Sequence, residues 1–493
     1  MKKTIKGKII SVVLCLIALV FALPTIAFAQ TGVSREAEEH ILNELSRARI
    51  PNAAIAIIQN GETSFIFKDS AQDTIFQIGS IGKSFTGFGV LVLEEMGLIS
   101  AYDTVNQHLP WFEVSYNGTP VPHEDIRIYH LLQNASGLMR SLTVHWPELT
   151  ESTDNYISRK LEVGLAFYPG ERHGYSDFNS IILGLLIEAI SGQSYDEFMT
   201  QHVLHPLGMY NTFTDNQRVY ETGRVIGGNR LRFLQATPFN PPVNPIVIPA
   251  GVIYSTITDM ARWAEIHLGT ADIPEQFARV VQRSHEDIGA LGFFAHGNYI
   301  YASGWNVLYD GSRVRHNGST QNYSASLRTY PHDNRAVMVL TNIRGEGVQF
   351  GAFISGIAFE GEPLGSVHTM SMDAILDIIF TVAVIIGIVY IGFFIRFIIK
   401  AVKRLNSGEK TKRKPSFKIV WLIAPIIIIA DLVITYMLPS VMSNMPHHLA
   451  VEFIPASYTP ALIILWAMLI CSLCVFFARV FGLSAKKINK VEE

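Results

Sequence analysis

Three apolar runs crowd the C-terminal quarter of this 493-residue chain, at 374–396, 419–438 and 461–478. A bilayer's hydrocarbon core, about 30 Å thick, takes roughly 20 residues of helix to cross, so each run predicts a transmembrane helix. Ile378–Ile395 and Ala461–Ala478 are uncharged, and Asp431 alone interrupts Ile419–Leu438. A helix–helix hydrogen bond is the simpler use for that acid, ahead of a functional site. The loop 396–418 carries nine Lys or Arg and the loop 439–460 carries none, so the positive-inside rule puts the first loop and the basic tail in the cytoplasm and residues 31–372 outside. The other end agrees. Lys2, Lys3, Lys6 and Lys8 precede the apolar run Ile9–Phe28, and Ala27-Phe28-Ala29 supplies small residues for cleavage, so residues 1–29 read as a signal peptide. The expected location is the cytoplasmic membrane, multi-pass, with an extracytoplasmic domain at 31–365.

That outer region has a charge pattern of its own. The whole chain holds 39 basic and 42 acidic residues, is 49% hydrophobic and 16% charged, which excludes a disordered chain. Residues 31–372 keep 22 of the basic and 35 of the acidic residues, a net charge of −13. Such a surface predicts no nucleic-acid partner. Cys15, Cys471 and Cys474 all lie inside apolar runs, so no disulfide framework or cysteine zinc site is available outside the membrane. Core packing alone must hold a stretch longer than one core usually spans, which predicts two subdomains sharing an interface.

Local pattern outlines those subdomains. Asn52–Asn60 and Thr63–Lys68 read as strands joined at Asn60-Gly61, with a helix over Ser34–Ala48 laid on the sheet they begin. Downstream, Tyr299–Leu308, Arg313–His316, Ser324–Tyr330 and Ala336–Thr341 are β-rich, with turns at Asp310-Gly311 and Pro331–Asn334, and a last helix is expected over Val348–Ala358. Between about 100 and 240 the pattern is mainly helical, including Ser180–Ser191 and Tyr195–Val203. The fold class expected is α/β: an antiparallel sheet flanked by helices, plus a helical lobe, followed by three transmembrane helices.

The chemistry begins at Ser80. Thr74–Lys83 is a β-rich approach that leads into the apolar helix Ser84–Met96, which stops at Gly97, so Ser80 sits at a helix N-terminus and Lys83 projects one turn later on the same face. A serine needs a nearby base to become a nucleophile, and a desolvated lysine beside a helix N-terminus can serve. Ser-x-x-Lys alone is a weak signal, since Ser407–Lys410 and Ser484–Lys487 match it in the basic segments by chance. Two further motifs lift Ser80 above them: Tyr175-Ser176-Asp177 after the Pro169-Gly170 turn, and His316-Asn317-Gly318 on a strand.

The set and its order resemble the serine β-lactamase and penicillin-binding-protein family, in its class C and D,D-carboxypeptidase branch, over nearly all of residues 35–360. Ala135-Ser136-Gly137-Leu138, Phe167-Tyr168-Pro169-Gly170, Pro206-Leu207-Gly208-Met209, Ala250-Gly251 with Ser255-Thr256 and Asp259, and Ser303-Gly304-Trp305 add to the match. The resemblance implies a β-lactamase/transpeptidase-like fold, with Ser80 as the acylated nucleophile, Lys83 as its base partner and Tyr175 as the phenol that relays a proton to the leaving group. It implies an oxyanion hole from the backbone N–H groups of Ser80 and Ser319, and a substrate-binding and oxyanion set of Asp177, His316, Gly318 and Ser319. Asp177 and His316 depart from the commonest pattern, Asn and Lys. A histidine there predicts a weak, switchable cation that gains anionic ligands as pH falls through about 6.5.

With its membrane tail the chain resembles the membrane-bound peptidases that remove an acyl-D-amino-acid cap from nonribosomal prodrugs. The function implied is a membrane-tethered serine hydrolase cutting a peptide or amide bond next to a D-amino acid, with a prodrug-type or cell-wall peptide as its small-molecule partner and membrane lipid around its spans. A β-lactamase, and a catalytically idle sensor, are the rivals. No cofactor is expected and no metal spacing stands out; His145, His173, His447 and His448 read as structural or solvated.

Overall fold

The computed structural model describes residues 33–139, 157–158, 161–162, 164–292, 294–362, 370–406, 420–443 and 454–480. The expected signal peptide, His145, His447, His448, both chance Ser-x-x-Lys matches and most of the two inter-helix loops lie outside these residues.

Helix α1 (Arg35–Arg47) starts where Ser34 Oγ accepts the Ala37 N–H at 3.1 Å, the bond a serine N-cap supplies. Strands β1 (Ala53–Gln59) and β2 (Glu62–Lys68) form the expected hairpin, turning through left-handed Asn60 (φ 57°) and Gly61 (φ 79°). In β1 alternate residues face opposite ways. Ala53, Ile55 and Ile57 meet Ile41 and Leu45 of α1, while Ala54, Ala56 and Ile58 enter the main core, so both faces of the sheet are covered.

Strand β3 (Ile75–Gln77) and the 3₁₀ turn Gly79–Ile81 lead into α2 (Gly82–Glu95), whose residues from Gly82 to Leu93 are all buried. The lobe supplies α3 (Ile128–Leu132) and α4 (Asp177–Ser191), then the hairpin β4 (Asn229–Arg232) and β5 (Gln235–Pro238). A four-residue turn of helix, α5 (Ile248–Gly251), is followed by β6 (Tyr254–Thr256), α6 (Ile257–Leu268) and α7 (Glu275–Ser284).

The sheet is completed by β7 (Phe294–His296), β8 (Tyr299–Ala302), β9 (Trp305–Leu308), β10 (Val314–Ser319), β11 (Ser324–Tyr330) and β12 (Arg335–Thr341). Its eight strands run in the order β2-β1-β12-β11-β10-β9-β8-β7, every pairing antiparallel. Chain ends thus meet in the middle: β1 pairs with β12, Ala53 opposite Thr341.

Two local expectations change. Tyr299–Leu308 is two strands rather than one, because Ser303 (φ 44°) and Gly304 (φ 91°) fold it back so that Ala302 pairs with Trp305. The last helix, α8 (Phe350–Ser355), starts two residues late and ends in a π turn, Gly356–Glu360. Nor do the sheet and lobe keep separate cores. One cluster runs from Ala54 through Phe85 and Phe88 of α2 to Leu186 of α4, so α2 is the shared spine.

Beyond it lie α9 (Met372–Asn406), α10 (Val420–Ser443) and α11 (Tyr458–Val480). Among the described residues two helices, Met372–Lys403 and Tyr458–Phe476, are long and apolar enough to cross a membrane, not three. The middle helix forms over Val420–Ser443, with Asp431 inside it.

Candidate active site

Ser80 sits in the 3₁₀ turn and Lys83 in the first turn of α2, so the helix itself brings Nζ to 3.0 Å from Ser80 Oγ. Lys83 is only 2% exposed, and a buried ammonium needs partners. It has three: Ser80 Oγ, the Ala250 carbonyl at the end of α5, and Asp177 Oδ1 at 2.7 Å. Its Nζ also lies 5.0 Å from the centre of the Tyr175 ring. Gly304 explains the close fit behind Lys83, because a Cβ there would collide with the Lys83–Ser84 peptide.

Tyr175 and Asp177 arrive together from the lobe. Ser176 caps α4, and its N–H donates to Asn134 Oδ1 at 3.1 Å while its hydroxyl donates to the Met139 carbonyl. Asn134 Oδ1 also accepts from Asn179 Nδ2 at 2.6 Å, so one buried amide clamps the whole Tyr-Ser-Asp segment. Asp177 therefore faces Lys83 as its counter-charge, whereas the resemblance implied a substrate-binding and oxyanion role for it.

Strand β10 closes the other side. A Cβ on Gly79 would strike Ser319 N, and one on Gly318 would strike the Ile78 carbonyl, so the backbone of β10 lies directly on the Ile78–Ser80 peptide. That contact sets Ser319 N beside the turn that carries Ser80.

His316 behaves differently from expectation. It is 4% exposed, with Nδ1 2.7 Å from the Asn317 carbonyl and Nε2 3.3 Å from Tyr301 Oη. Burial, then the nearby Lys83 charge, lowers its pKa from 6.5 to about 3. It is a neutral wall of the site at working pH, and the expected gain of anions near pH 6.5 is lost with it. Tyr301, raised well above an ordinary phenol chiefly by burial, stands between Asn134, Tyr175 and His316. Sequence reasoning missed both Tyr301 and Asn134. Tyr301 reaches the site only because β9 folds back beside β8, a pairing that no spacing reveals.

Comparison with known proteins decides the family. Residues 35–352 match the model of the Beta-lactamase family, well over half of the chain. The chain belongs to the β-lactamase family. Among curated relatives it is 29% identical over 325 residues to Protein flp of Staphylococcus aureus (strain MW2), a match that spans 62% of this chain and 63% of that protein's length. It is 24% identical over 295 residues to Penicillin-binding protein 4* of Bacillus subtilis (strain 168), covering 55% of this chain and 61% of that one. Two solved structures share the fold: an octameric penicillin-binding protein homologue from Pyrococcus abyssi (TM-score 0.57, 21% identity, 70% of this chain and 80% of that one) and a class C β-lactamase (TM-score 0.53, 17% identity, 63% and 92%). Members of this family are serine hydrolases, so its chemistry frames the geometry above.

Proposed function

We infer that this chain is a membrane-tethered serine hydrolase that works through an acyl-enzyme at Ser80 on peptide or amide bonds next to a D-amino acid. The observation that carries the reading is Lys83 Nζ, held within hydrogen-bond reach of Ser80 Oγ on one side and Asp177 on the other. Ser80 can attack a carbonyl once Lys83 has released a proton; the amine then takes the Ser80 proton, and the carboxylate 2.7 Å away stabilises the ammonium that re-forms. Tyr175, beside Lys83, passes a proton to the leaving nitrogen. The negative charge on the substrate oxygen falls between the N–H groups of Ser80 and Ser319. Water then releases the acyl group by the reverse path.

Neutral His316 supports a substrate that presents an amide rather than a free carboxylate to β10, which favours a capped peptide, prodrug-type or from the cell wall, over a β-lactam. The two long apolar helices support a tether, with Val420–Ser443 as a third span and the hydrolase outside. The test is direct. A fluorophosphonate probe should add one label per chain and Ser80→Ala should abolish it; the solubilised protein should release p-nitroaniline from an acyl-D-amino-acid p-nitroanilide faster than it opens nitrocefin. Labelling that survives Ser80→Ala sinks the nucleophile, preferred nitrocefin turnover makes the protein a β-lactamase, and labelling with no turnover makes it a sensor.

A further inference from the structure

Strand β10 and the first apolar helix meet through one short segment, 342–347. Arg344 is at its centre. Its backbone N–H donates to the Asn229 carbonyl at 3.1 Å, its Nε to Asp373 Oδ2 at 2.8 Å in the first turn of α9, and its Nη1 to the Thr320 carbonyl at 3.4 Å. Thr320 directly follows Ser319. Three residues on, the Gly347 N–H donates to Ser324 Oγ at 2.9 Å, and Ser324 is the register partner of Ser319 across the β10–β11 turn. Between these contacts Glu346 accepts from the Ser371 hydroxyl, just before α9. The same six residues therefore grip both the tip of the strand that carries Ser319 and the head of the helix.

The Arg344–Asp373 pair is mostly out of water, with side chains 19% and 11% exposed. Gly345 tightens it, since a Cβ there would sit 2.8 Å from Asp373 Oδ2. A guanidinium is planar, with its donors in a fixed fork, so it cannot follow Asp373 without turning away from Thr320.

The geometry points to Arg344 as a positioning residue that couples the seating of α9 to the placement of the Ser319 N–H. This rests on the acyl-enzyme reading above, since it requires an oxyanion pocket at Ser80 and Ser319. Displacing a group that acts on the reacting centre by about 1 Å can cost on the order of 10²-fold in rate. Loss of one 3.4 Å tether frees the strand tip by part of that, so a fall of about tenfold is expected.

The experiment measures both the rate constant and the endpoint of Ser80 labelling in the full chain in detergent. The probe is a neutral fluorophosphonate, so that removing a positive charge cannot act through the probe's own charge. Arg344→Ala and Asp373→Ala should each slow labelling about tenfold while reaching the native endpoint of one label per chain, and the double variant should be no slower than either single one. Arg344→Lys should recover part of the rate, because an ammonium reaches Asp373 but cannot also hold Thr320. Should Arg344→Ala not fold, Asp373→Asn carries the same rate comparison. Native-rate labelling in the single variants, or a reduced endpoint at unchanged rate, would overturn the coupling and leave Arg344 a clamp of the fold. Absence of labelling in the native protein would strike the acyl-enzyme reading itself, and the coupling with it.

Discussion

Around Lys83 one ammonium faces one carboxylate, and the other neighbours are neutral: the Ala250 carbonyl, the Tyr175 ring and an uncharged His316. At the head of α9 three carboxyls, from Glu346, Asp373 and Asp377, lie close together; Arg344 bonds Asp373, and the hydroxyls of Ser371 and Ser457 and the N–H groups of Phe233 and Leu234 bond the other two. The first arrangement gives one buried cation a single carboxylate among neutral neighbours. The second holds crowded carboxyls with donors that do not titrate, and burial there raises Glu346 to about 7. Chemistry and attachment thus make different demands on buried charge.

Acid should separate the two regions. His316 is lowered to about 3, His130 and His285 to about 4, and His267 lies well below 6.5, in each case mainly through burial. The unfolded chain takes up protons at these groups near 6.5 and the folded one does not, so their contribution to stability is present above about 6.5 and is lost as pH falls toward the folded values. Glu346 runs the other way. Burial raises it from 4.5 to about 7, so its contribution is fully present below about 4.5 and is lost as pH rises through 7.

The largest effect that would break the comparison is on rate. Lys83→Met removes the only cation that touches Ser80 among the described residues, and acylation measured by probe labelling should fall by about 10³-fold. Next comes the acid limb. Between pH 7 and 4, His316 alone should withdraw on the order of 3 kcal/mol, so chemical unfolding of His316→Gln should be visibly less acid-sensitive than that of the native protein. An unchanged slope would mean that the ring already titrates in the folded state. Third, Glu346→Gln keeps an acceptor for Ser371 and removes the ionisation cost; it should gain about 2 kcal/mol at pH 8 and flatten the opposing slope between 4.5 and 7. The smallest effect belongs to Asp177→Asn. The carboxylate is 37% exposed and the amide oxygen still accepts from Lys83, so the unfolding midpoint should report a loss of about 1 kcal/mol.

Much of this arrangement was legible along the chain. The Asn60-Gly61 turn, the helix that follows Ser34 and the three-residue step from Ser80 to Lys83 are local geometry, and local geometry is written in adjacent residues. What escaped was long-range. The fold-back at Ser303-Gly304 stayed hidden inside the β-rich run Tyr299–Leu308, because nothing nearby shows that Gly304 must lie on the Lys83–Ser84 peptide. His316 looked switchable because its burial depends on Tyr301 and Tyr175, which are remote in sequence or separated by a folded-back strand. Arg344 and Asp377 drew no notice, since their partners belong to different layers of the molecule.

The turn between β4 and β5 has two non-glycine residues in left-handed conformation, Phe233 (φ 52°) and Leu234 (φ 62°), and both donate their N–H groups to Asp377 inside α9. Such residues persist only where surroundings compensate them. Cutting the chain before Ser371, the obvious way to obtain a soluble hydrolase, would remove that compensation. The hairpin would be left with an apolar tip, two orphaned amides and a reason to rearrange, close to the Asn229 carbonyl on which Arg344 rests. A preparation made that way would report on a loosened domain, and a version carrying Asn-Gly at 233–234 would be the better starting point for purification and crystallisation.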